Sequence, residues 1–150
     1  VGGGRVFVSV EGLGIYYADL NPEPDPVVFI PGFATTWSQK GLIENQSTTY
    51  ADWQLMPVFT DAYYQPLLST LKNAGLTENQ NLFTFGYDFR KSIVDNANSL
   101  NTFLTDKTPG KKTNIVAHSM GGLVARYCFE KVSGCAGKIG KIAFFPDDFS

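Results

Sequence analysis

Four short apolar runs, each hydrophobic on both faces, alternate with stretches whose apolar residues recur at helical spacing. The runs are VVFI (residues 27–30), NLFTFGY (81–87), TNIVAHS (113–119) and KIAFF (141–145). Strands without a polar face must be covered on both sides, which is typical of parallel sheets flanked by helices. The alternation therefore predicts an α/β fold with a mostly parallel sheet and right-handed crossovers.

The intervening stretches predict three helices, and the start of the chain predicts a hairpin. QPLLSTLKNAGL (65–76) stops at Gly75, and SIVDNANSLNTFLTDK (92–107) has a serine at its N-cap position. MGGLVARYCFEKV (120–132) is the third helical stretch. RVFVSV (5–10) and GIYYADL (14–20) are β-branched and aromatic, which predicts an antiparallel N-terminal hairpin at the edge of the sheet.

Length and charge exclude several classes of protein. The 150 residues, 43% of them hydrophobic, can bury one core, so a single domain over residues 1–150 is expected. A net charge of −2 without a basic stripe gives no reason to expect nucleic-acid binding. No apolar run could span a bilayer, so we expect a soluble chain whose location is open, with an extracellular one favoured. The sequence starts with Val1, so either a leader has been removed or this is a piece of a longer chain.

The cysteines and the histidine are too few for a metal site. Cys128 and Cys135 are the only cysteines and His118 is the only histidine, so neither a metal nor a cofactor is predicted. Gly134 could turn the chain so that the two cysteines meet in a disulfide. Two independent thiols are the favoured interpretation, and the redox compartment is left undecided.

Residues 33–64 interrupt the alternation of strands and helices. They are rich in polar residues and aromatics and show no clean period. A loop of this length in a compact domain is usually a lid or binding loop, or is disordered. The alternative is that its aromatic side chains fill the core over a neighbouring site.

Ser119 lies where an apolar strand meets a helix, within NIVAHSMGGLVARY (114–127). Ala117 and Gly121 flank it at a distance of two residues, and a turn this sharp leaves room only for small side chains there. Such a turn strains the central residue and exposes its side chain at the carboxyl end of the sheet. The pattern is that of a nucleophile elbow, with alanine replacing the usual first glycine. The alternative is an N-cap serine followed by glycines that permit close helix packing.

FIPGF (29–33) ends the first apolar strand beside this turn. Acyl transfer through a serine needs two amide donors for the oxyanion, one after the nucleophile and one after this earlier strand. The amides of Met120 and Phe33 are the candidates for an oxyanion hole. The alternative for FIPGF is an ordinary turn at a Pro-Gly pair.

FIPGF, YDFR (87–90) and NIVAHSMGGLVARY resemble, in order and spacing, the α/β-hydrolase lipases, most closely the branch similar to lecithin:cholesterol acyltransferase. The resemblance covers roughly residues 27–145. It implies a lipase, esterase or acyltransferase that acts on acyl esters, with Ser119 as nucleophile and with Phe33 and Met120 as oxyanion donors.

The same resemblance assigns roles outside the serine turn. It implies that residues 37–64 belong to a lid-like insertion, placed around 33–64, that makes transient contact with a lipid interface. Asp88 and Arg90 would be structural and brace the loop beside the site. The alternative for these two residues is a surface ion pair, which contributes little.

A complete catalytic triad is not expected from these 150 residues. In this fold an acid and then a histidine follow the serine on later loops. His118 is adjacent to Ser119, and neighbours on a tight elbow diverge, so its ring cannot act as the base and should pack against the sheet or the lid. Asp147 and Asp148 follow the last predicted strand and are only remote candidates for the acid, since FPDDF replaces the glycine-threonine-proline-like turn of the family.

Two interpretations of the function follow. In the first, the chain is the N-terminal portion of a serine hydrolase or acyltransferase, truncated after the sixth strand, with its acid and base beyond Ser150 or on a second chain. In the second, it is a non-catalytic module that binds acyl groups, lipids or another protein. A truncated sheet would expose an apolar edge at its last strand, which invites pairing with another chain, and this cost favours the first interpretation.

Overall fold

The computed structural model describes residues 5–10, 14–19 and 24–145. In this part of the chain the strands are β1 (Arg5–Val10), β2 (Gly14–Asp19), β3 (Val27–Ile30), β4 (Thr36–Trp37), β5 (Gln54–Leu55), β6 (Leu82–Thr84), β7 (Thr113–His118) and β8 (Ile139–Phe145). The α-helices are α1 (Pro57–Phe59), α2 (Gln65–Asn73), α3 (Ile93–Lys107) and α4 (Met120–Lys131). Short π or 3-10 turns cover Gln39–Ile43, Tyr50–Asp52, Thr60–Tyr64 and Ala136–Lys138.

The main sheet has four parallel strands in the order β6-β3-β7-β8. Helices flank this sheet, and the α/β fold class predicted from the sequence is confirmed. Because β3 and β7 are adjacent and parallel, their carboxyl ends meet at the same edge of the sheet. β8 is the outer strand of this sheet, so pairing of its free edge with another chain stays a prediction.

The burial of β3 explains why its sequence is apolar on both faces. All four of its residues are buried. Val28 and Ile30 belong to the larger core, to which α3 and α4 contribute, whereas Phe29 packs with Tyr64 and Leu68 on the other face. Alternate residues of one strand thus fill two separate cores, as expected for a central parallel strand.

The helix boundaries follow the signals read from the sequence. Ser92 caps α3, because its side chain accepts a hydrogen bond of 3.0 Å from the backbone N–H of Asp95. Gly75 lies just after α2 with a φ of +95°, the left-handed conformation that commonly ends a helix. Both predicted helix signals are confirmed.

The N-terminal hairpin and the predicted run 81–87 show two departures from the predictions. β1 and β2 pair antiparallel, which confirms the hairpin, but they form a two-stranded sheet of their own, so the expectation that they join the main sheet is wrong. The outer strand β6 has only three residues, so it offers few backbone hydrogen bonds to a six-residue strand such as β1. The strand within the predicted run 81–87 is also shorter than predicted, because β6 covers only Leu82–Thr84. The turn of the hairpin at residues 11–13 lies outside the described residues.

Cys128 and Cys135 form a disulfide with a Cα–Cα distance of 5.7 Å. The favoured interpretation of two independent thiols is therefore wrong. α4 ends at Lys131 and the chain turns back through Gly134, whose φ is +76°, which brings the buried cysteines together.

Residues 33–64 are not one open loop. β4 and β5 form a small antiparallel ribbon, and helical turns precede and follow it. Trp53 and Tyr64 are buried, whereas Ile43 and Val58 are among the most exposed large hydrophobic residues. The aromatic side chains therefore fill core in part, as the alternative interpretation expects, while other apolar residues of the segment face solvent.

The described ranges lack both a membrane-spanning helix and a cluster of metal-binding side chains. No helix in them is long and apolar enough to cross a membrane. They also contain no group of three or more His, Cys, Asp or Glu residues that could hold a metal ion. Asp147 and Asp148, the remote candidates for a catalytic acid, lie outside the described residues.

Candidate active site

Ser119 occupies the single position between β7, which ends at His118, and α4, which begins at Met120. Its φ is 49° and its ψ is −122°, a combination that residues other than glycine rarely adopt. Backbone strain of this kind concentrates at functional sites, where the surrounding structure enforces it. The residue is exposed, so the hydroxyl group is accessible at the carboxyl end of the sheet.

The small residues beside Ser119 are required by close packing. A Cβ on Gly121 would lie 2.6 Å from the carbonyl oxygens of both Ile30 and Pro31. Ala117, two residues before the serine, is completely buried in the larger core. The first turn of α4 therefore packs directly on the end of β3, which explains the spacing of small residues in the sequence.

FIPGF lies against the serine turn. A Cβ on Gly32 would lie 2.6 Å from Nδ1 of His118 and 3.3 Å from Cβ of Ser119. Phe33 follows this contact directly, and Met120 is the first residue of α4. The N–H of Met120 has no acceptor within its own helix and lies at the positive end of the helix dipole. The structure thus brings the three predicted residues Phe33, Ser119 and Met120 to one place.

Three hydroxyl groups hold the two peptides that precede Phe33. Tyr87 donates to the carbonyl of Pro31 at 2.9 Å, and the N–H of Gly32 donates to the hydroxyl of Tyr64 at 3.1 Å. Thr35 donates to the carbonyl of Gly32 at 2.8 Å. Burial, and to a lesser extent the nearby Tyr64, raises the pKa of Tyr87, so its phenol remains a neutral donor.

His118 is engaged by the 33–64 segment. Its Nδ1 lies 2.9 Å from the hydroxyl of Tyr64, and the two rings meet edge to face with centroids 5.6 Å apart. This contact confirms the expectation that His118 packs against the sheet or the segment over it. The Nδ1 atom of the ring is therefore engaged by Tyr64.

A cleft of about 290 Å³ opens beside the serine. Its lining is Phe33, Thr35, Phe59, Tyr63, Tyr64, His118 and Ser119. Phe33 is 62% exposed, and its ring packs edge to face on Phe89 with centroids 5.2 Å apart. Aromatic walls beside one exposed hydroxyl form a surface that suits an apolar ligand with a single polar group.

Asp88 and Arg90 form a brace in the stretch that follows β6 and carries YDFR. Arg90 contacts both carboxylate oxygens of Asp88, at 2.8 and 2.9 Å, and its guanidinium lies 5.7 Å from the ring centroid of Trp53. The side chain of Asp88 is only 7% exposed. Hydrogen bonds from Arg90 hold the pKa of Asp88 below its usual range. The pair is therefore structural, as the resemblance implies, and is more than a surface ion pair.

Sequence reasoning missed Thr35, Tyr64 and Tyr87 as parts of this site. Tyr87 and Tyr64 bond to a loop that lies 56 and 32 residues away in the chain. No periodicity marks contacts over such separations. Only Thr35, which bonds three residues back, has a local signal, because threonine near a Pro-Gly turn often bonds to the backbone.

The parallel sheet, its flanking helices and the strained turn at its carboxyl end define the chain as an α/β-fold protein. Residues 30–144 match the sequence profile of the family described as Lecithin:cholesterol acyltransferase, and the chain belongs to this family. The chain is 38% identical over 74 residues to lecithin-cholesterol acyltransferase-like 4 of Arabidopsis thaliana. That match covers 45% of the chain and 13% of the relative, so the chain spans a small part of that relative's length.

Proposed function

We propose that the protein carrying this chain is a serine lipase, esterase or acyltransferase that acts on acyl esters of lipids. The observation that carries the proposal is the exposed Ser119 in strained backbone between a parallel strand and a helix. Membership of the lecithin:cholesterol acyltransferase family supports a lipid acyl ester as the substrate.

In the proposed reaction Oγ of Ser119 attacks the ester carbonyl while a base accepts the hydroxyl proton. The amides of Phe33 and Met120 stabilise the tetrahedral oxyanion. Its collapse breaks the bond to the alcohol, which leaves with a proton, and an acyl-serine remains. Attack by water then releases a fatty acid, whereas attack by an alcohol forms a new ester.

The base of this reaction is proposed to come from outside these 150 residues. His118, the only histidine in the sequence, is engaged by Tyr64. The acid and the histidine of a triad would then follow on later loops beyond Ser150, or on a second chain. The same continuation, or a second chain, would cover the free edge of β8.

The 33–64 segment is proposed to act as a lid-like insertion that contacts a lipid interface. Exposed apolar surface on this segment comes from Phe33, Ile43, Val58 and Tyr63. Trp37 is partly buried within the segment, and its fluorescence can report a change in its surroundings. Adding ester micelles should therefore change the tryptophan fluorescence. An unchanged spectrum at saturating micelle concentration would contradict contact with the interface.

Labelling with a fluorophosphonate tests the nucleophile in the longest natural form of the protein that carries this sequence. The wild type should label once per chain, and Ser119→Ala should abolish both labelling and ester hydrolysis, because the proposed acyl intermediate forms on this hydroxyl. Ser133→Ala is the matched control, since Ser133 is exposed and lies outside the cleft. Labelling that survives Ser119→Ala would contradict the assignment.

The same experiment addresses the second candidate, a non-catalytic acyl-binding module. The observation that favours it is the engagement of the only histidine by Tyr64. A protein of this kind would bind a fatty acid in the aromatic cleft but would neither label nor hydrolyse a short or a long p-nitrophenyl ester. Adding an alcohol acceptor to the assay separates hydrolysis from acyl transfer.

A further inference from the structure

We propose that Thr35 is a positioning residue that directs the backbone N–H of Phe33 toward the oxyanion. The inference rests on the proposed function, in which that N–H is one of two donors, and it assigns a role to a side chain that makes no contact with the reacting atoms.

The geometry of one peptide group carries the proposal. The carbonyl of Gly32 and the N–H of Phe33 belong to the same planar trans peptide, so they point in opposite directions. The hydroxyl of Thr35 donates to the carbonyl of Gly32 at 2.8 Å. By fixing the direction of this carbonyl, Thr35 also fixes the direction of the Phe33 N–H.

The local chain path keeps this hydrogen bond in place. Ala34 has a φ of 56°, in the left-handed region, and this turn brings Thr35 back onto Gly32. Thr35 is only 6% exposed, so water does not readily replace its hydroxyl group as the partner of the carbonyl. A residue other than glycine is strained in this conformation, and surrounding contacts must offset the strain.

Tyr64 supports the arrangement from the preceding peptide. Its hydroxyl accepts the N–H of Gly32 at 3.1 Å and lies 3.4 Å from the hydroxyl of Thr35. Both peptide groups of Gly32 are therefore held by buried hydroxyls, one from Thr35 and one from Tyr64. Phe33 follows with its amide already directed before substrate arrives, which is the preorganisation that oxyanion stabilisation requires.

The expected effect lies in the transition state. Removing an oxyanion donor outright lowers kcat about 100-fold to 1000-fold, so loosening one donor should lower it roughly 10-fold. The ground-state ester makes weaker use of this donor, and KM should change little. A merely structural role would not produce this separation of kcat from KM.

The test compares Thr35→Val, Thr35→Ser and Thr36→Val in the longest natural form of the protein. Thr35→Val keeps the shape and removes the hydroxyl, whereas Thr35→Ser keeps the hydroxyl and should regain most of the lost kcat. Thr36→Val is the matched control, because Thr36 is also buried but donates to the carbonyl of Tyr87 at 2.8 Å. Each variant is assayed with a p-nitrophenyl ester and with a trifluoromethyl ketone, which binds serine hydrolases as a transition-state analogue.

We expect Thr35→Val to lose roughly 10-fold in kcat and a similar factor in affinity for the ketone, with Thr36→Val within twofold of wild type. Equal losses of kcat in Thr35→Val and Thr36→Val, or no loss in Thr35→Val, would overturn the inference and leave the proposed function standing. If the wild type shows no turnover that Ser119→Ala removes, both the proposed function and the inference are overturned. If Thr35→Val fails to fold, Thr35→Ala decides in its place, because it also lacks the hydroxyl: a lower kcat at constant KM supports the inference, and unchanged kcat overturns it.

Discussion

Two regions of very different regularity line the same cleft. The turn at Ser119 joins a six-residue strand to a twelve-residue helix, whereas no element between residues 33 and 64 is longer than five residues. Both regions nevertheless pack so closely that a side chain is excluded. A Cβ on Gly121 would lie 2.6 Å from Pro31, and one on Gly86 would lie 2.2 Å from the carbonyl oxygen of Trp53. Tight packing therefore does not require regular secondary structure.

The largest expected effect tests whether the irregular region is as firmly packed as this comparison implies. Trp53 is 5% exposed, its indole N–H donates to Thr48 at 2.9 Å, and its ring packs on Phe89. Trp53→Ala should lower the free energy of unfolding by about 3 to 5 kcal/mol, because a large cavity is left. Urea unfolding measures this loss.

Ile43→Ala is the matched control from the same segment. Ile43 is 74% exposed, so its truncation should change the free energy of unfolding by less than about 0.5 kcal/mol. If both variants were equally stable, residues 33–64 would not pack on the sheet as described, and the comparison between the two regions would fail.

The next effect concerns the regular region. Gly121→Ala forces a methyl group against two backbone carbonyl oxygens, which cannot rotate away as a side chain could. Overpacking of this kind costs about 1 to 3 kcal/mol, and the shift of α4 should also reduce fluorophosphonate labelling of Ser119. Gly137→Ala is the control, since a Cβ there meets nothing within 4 Å. Wild-type stability and labelling in Gly121→Ala would show that α4 does not need its close approach to β3.

The comparison also explains how much of the fold could be predicted from the sequence. Strands, helices and caps leave local signals, so β3, α3 and the Ser92 cap appear where the sequence predicts them. The placement of the N-terminal hairpin depends on which distant surfaces meet, and the Cys128–Cys135 bond depends on how the chain turns between two cysteines seven residues apart. Such choices leave no period in the sequence, and those two expectations were wrong.

The candidate site divides in the same way. Ser119 and its small neighbours could be recognised because a sharp strand-to-helix turn needs a fixed spacing of small residues. Tyr64 could not be recognised as the partner of His118 and Gly32, since it lies in the irregular segment, 54 and 32 residues away from them. The part of the site that orients the backbone comes largely from the region whose sequence shows no period.

The smallest effect tests how the 33–64 segment is held to the chain that follows β6, through Asp88, Arg90 and Trp53. Asp88→Asn should lower the free energy of unfolding at pH 7 by about 1 kcal/mol, because the charged hydrogen bonds from Arg90 become weaker neutral ones. The pKa of Asp88 is lower in the folded protein than in the unfolded chain. Its contribution is therefore complete above about pH 3.9, the ordinary value for aspartate, and is lost as the pH falls through the lowered pKa.

Urea unfolding of the wild type and Asp88→Asn at pH 7 and at successively lower pH measures this dependence. The two stabilities should differ at neutral pH and converge below pH 3.9 as the wild-type carboxylate is protonated. Glu130→Gln is the control, because the pair of Glu130 with Arg126 is exposed and should show a smaller difference at pH 7. A difference for Asp88→Asn that persists unchanged at the lowest pH would mean that shape and not charge holds this link. The contact between the 33–64 segment and the chain after β6 would then rest on the packing of Trp53 and not on the ion pair.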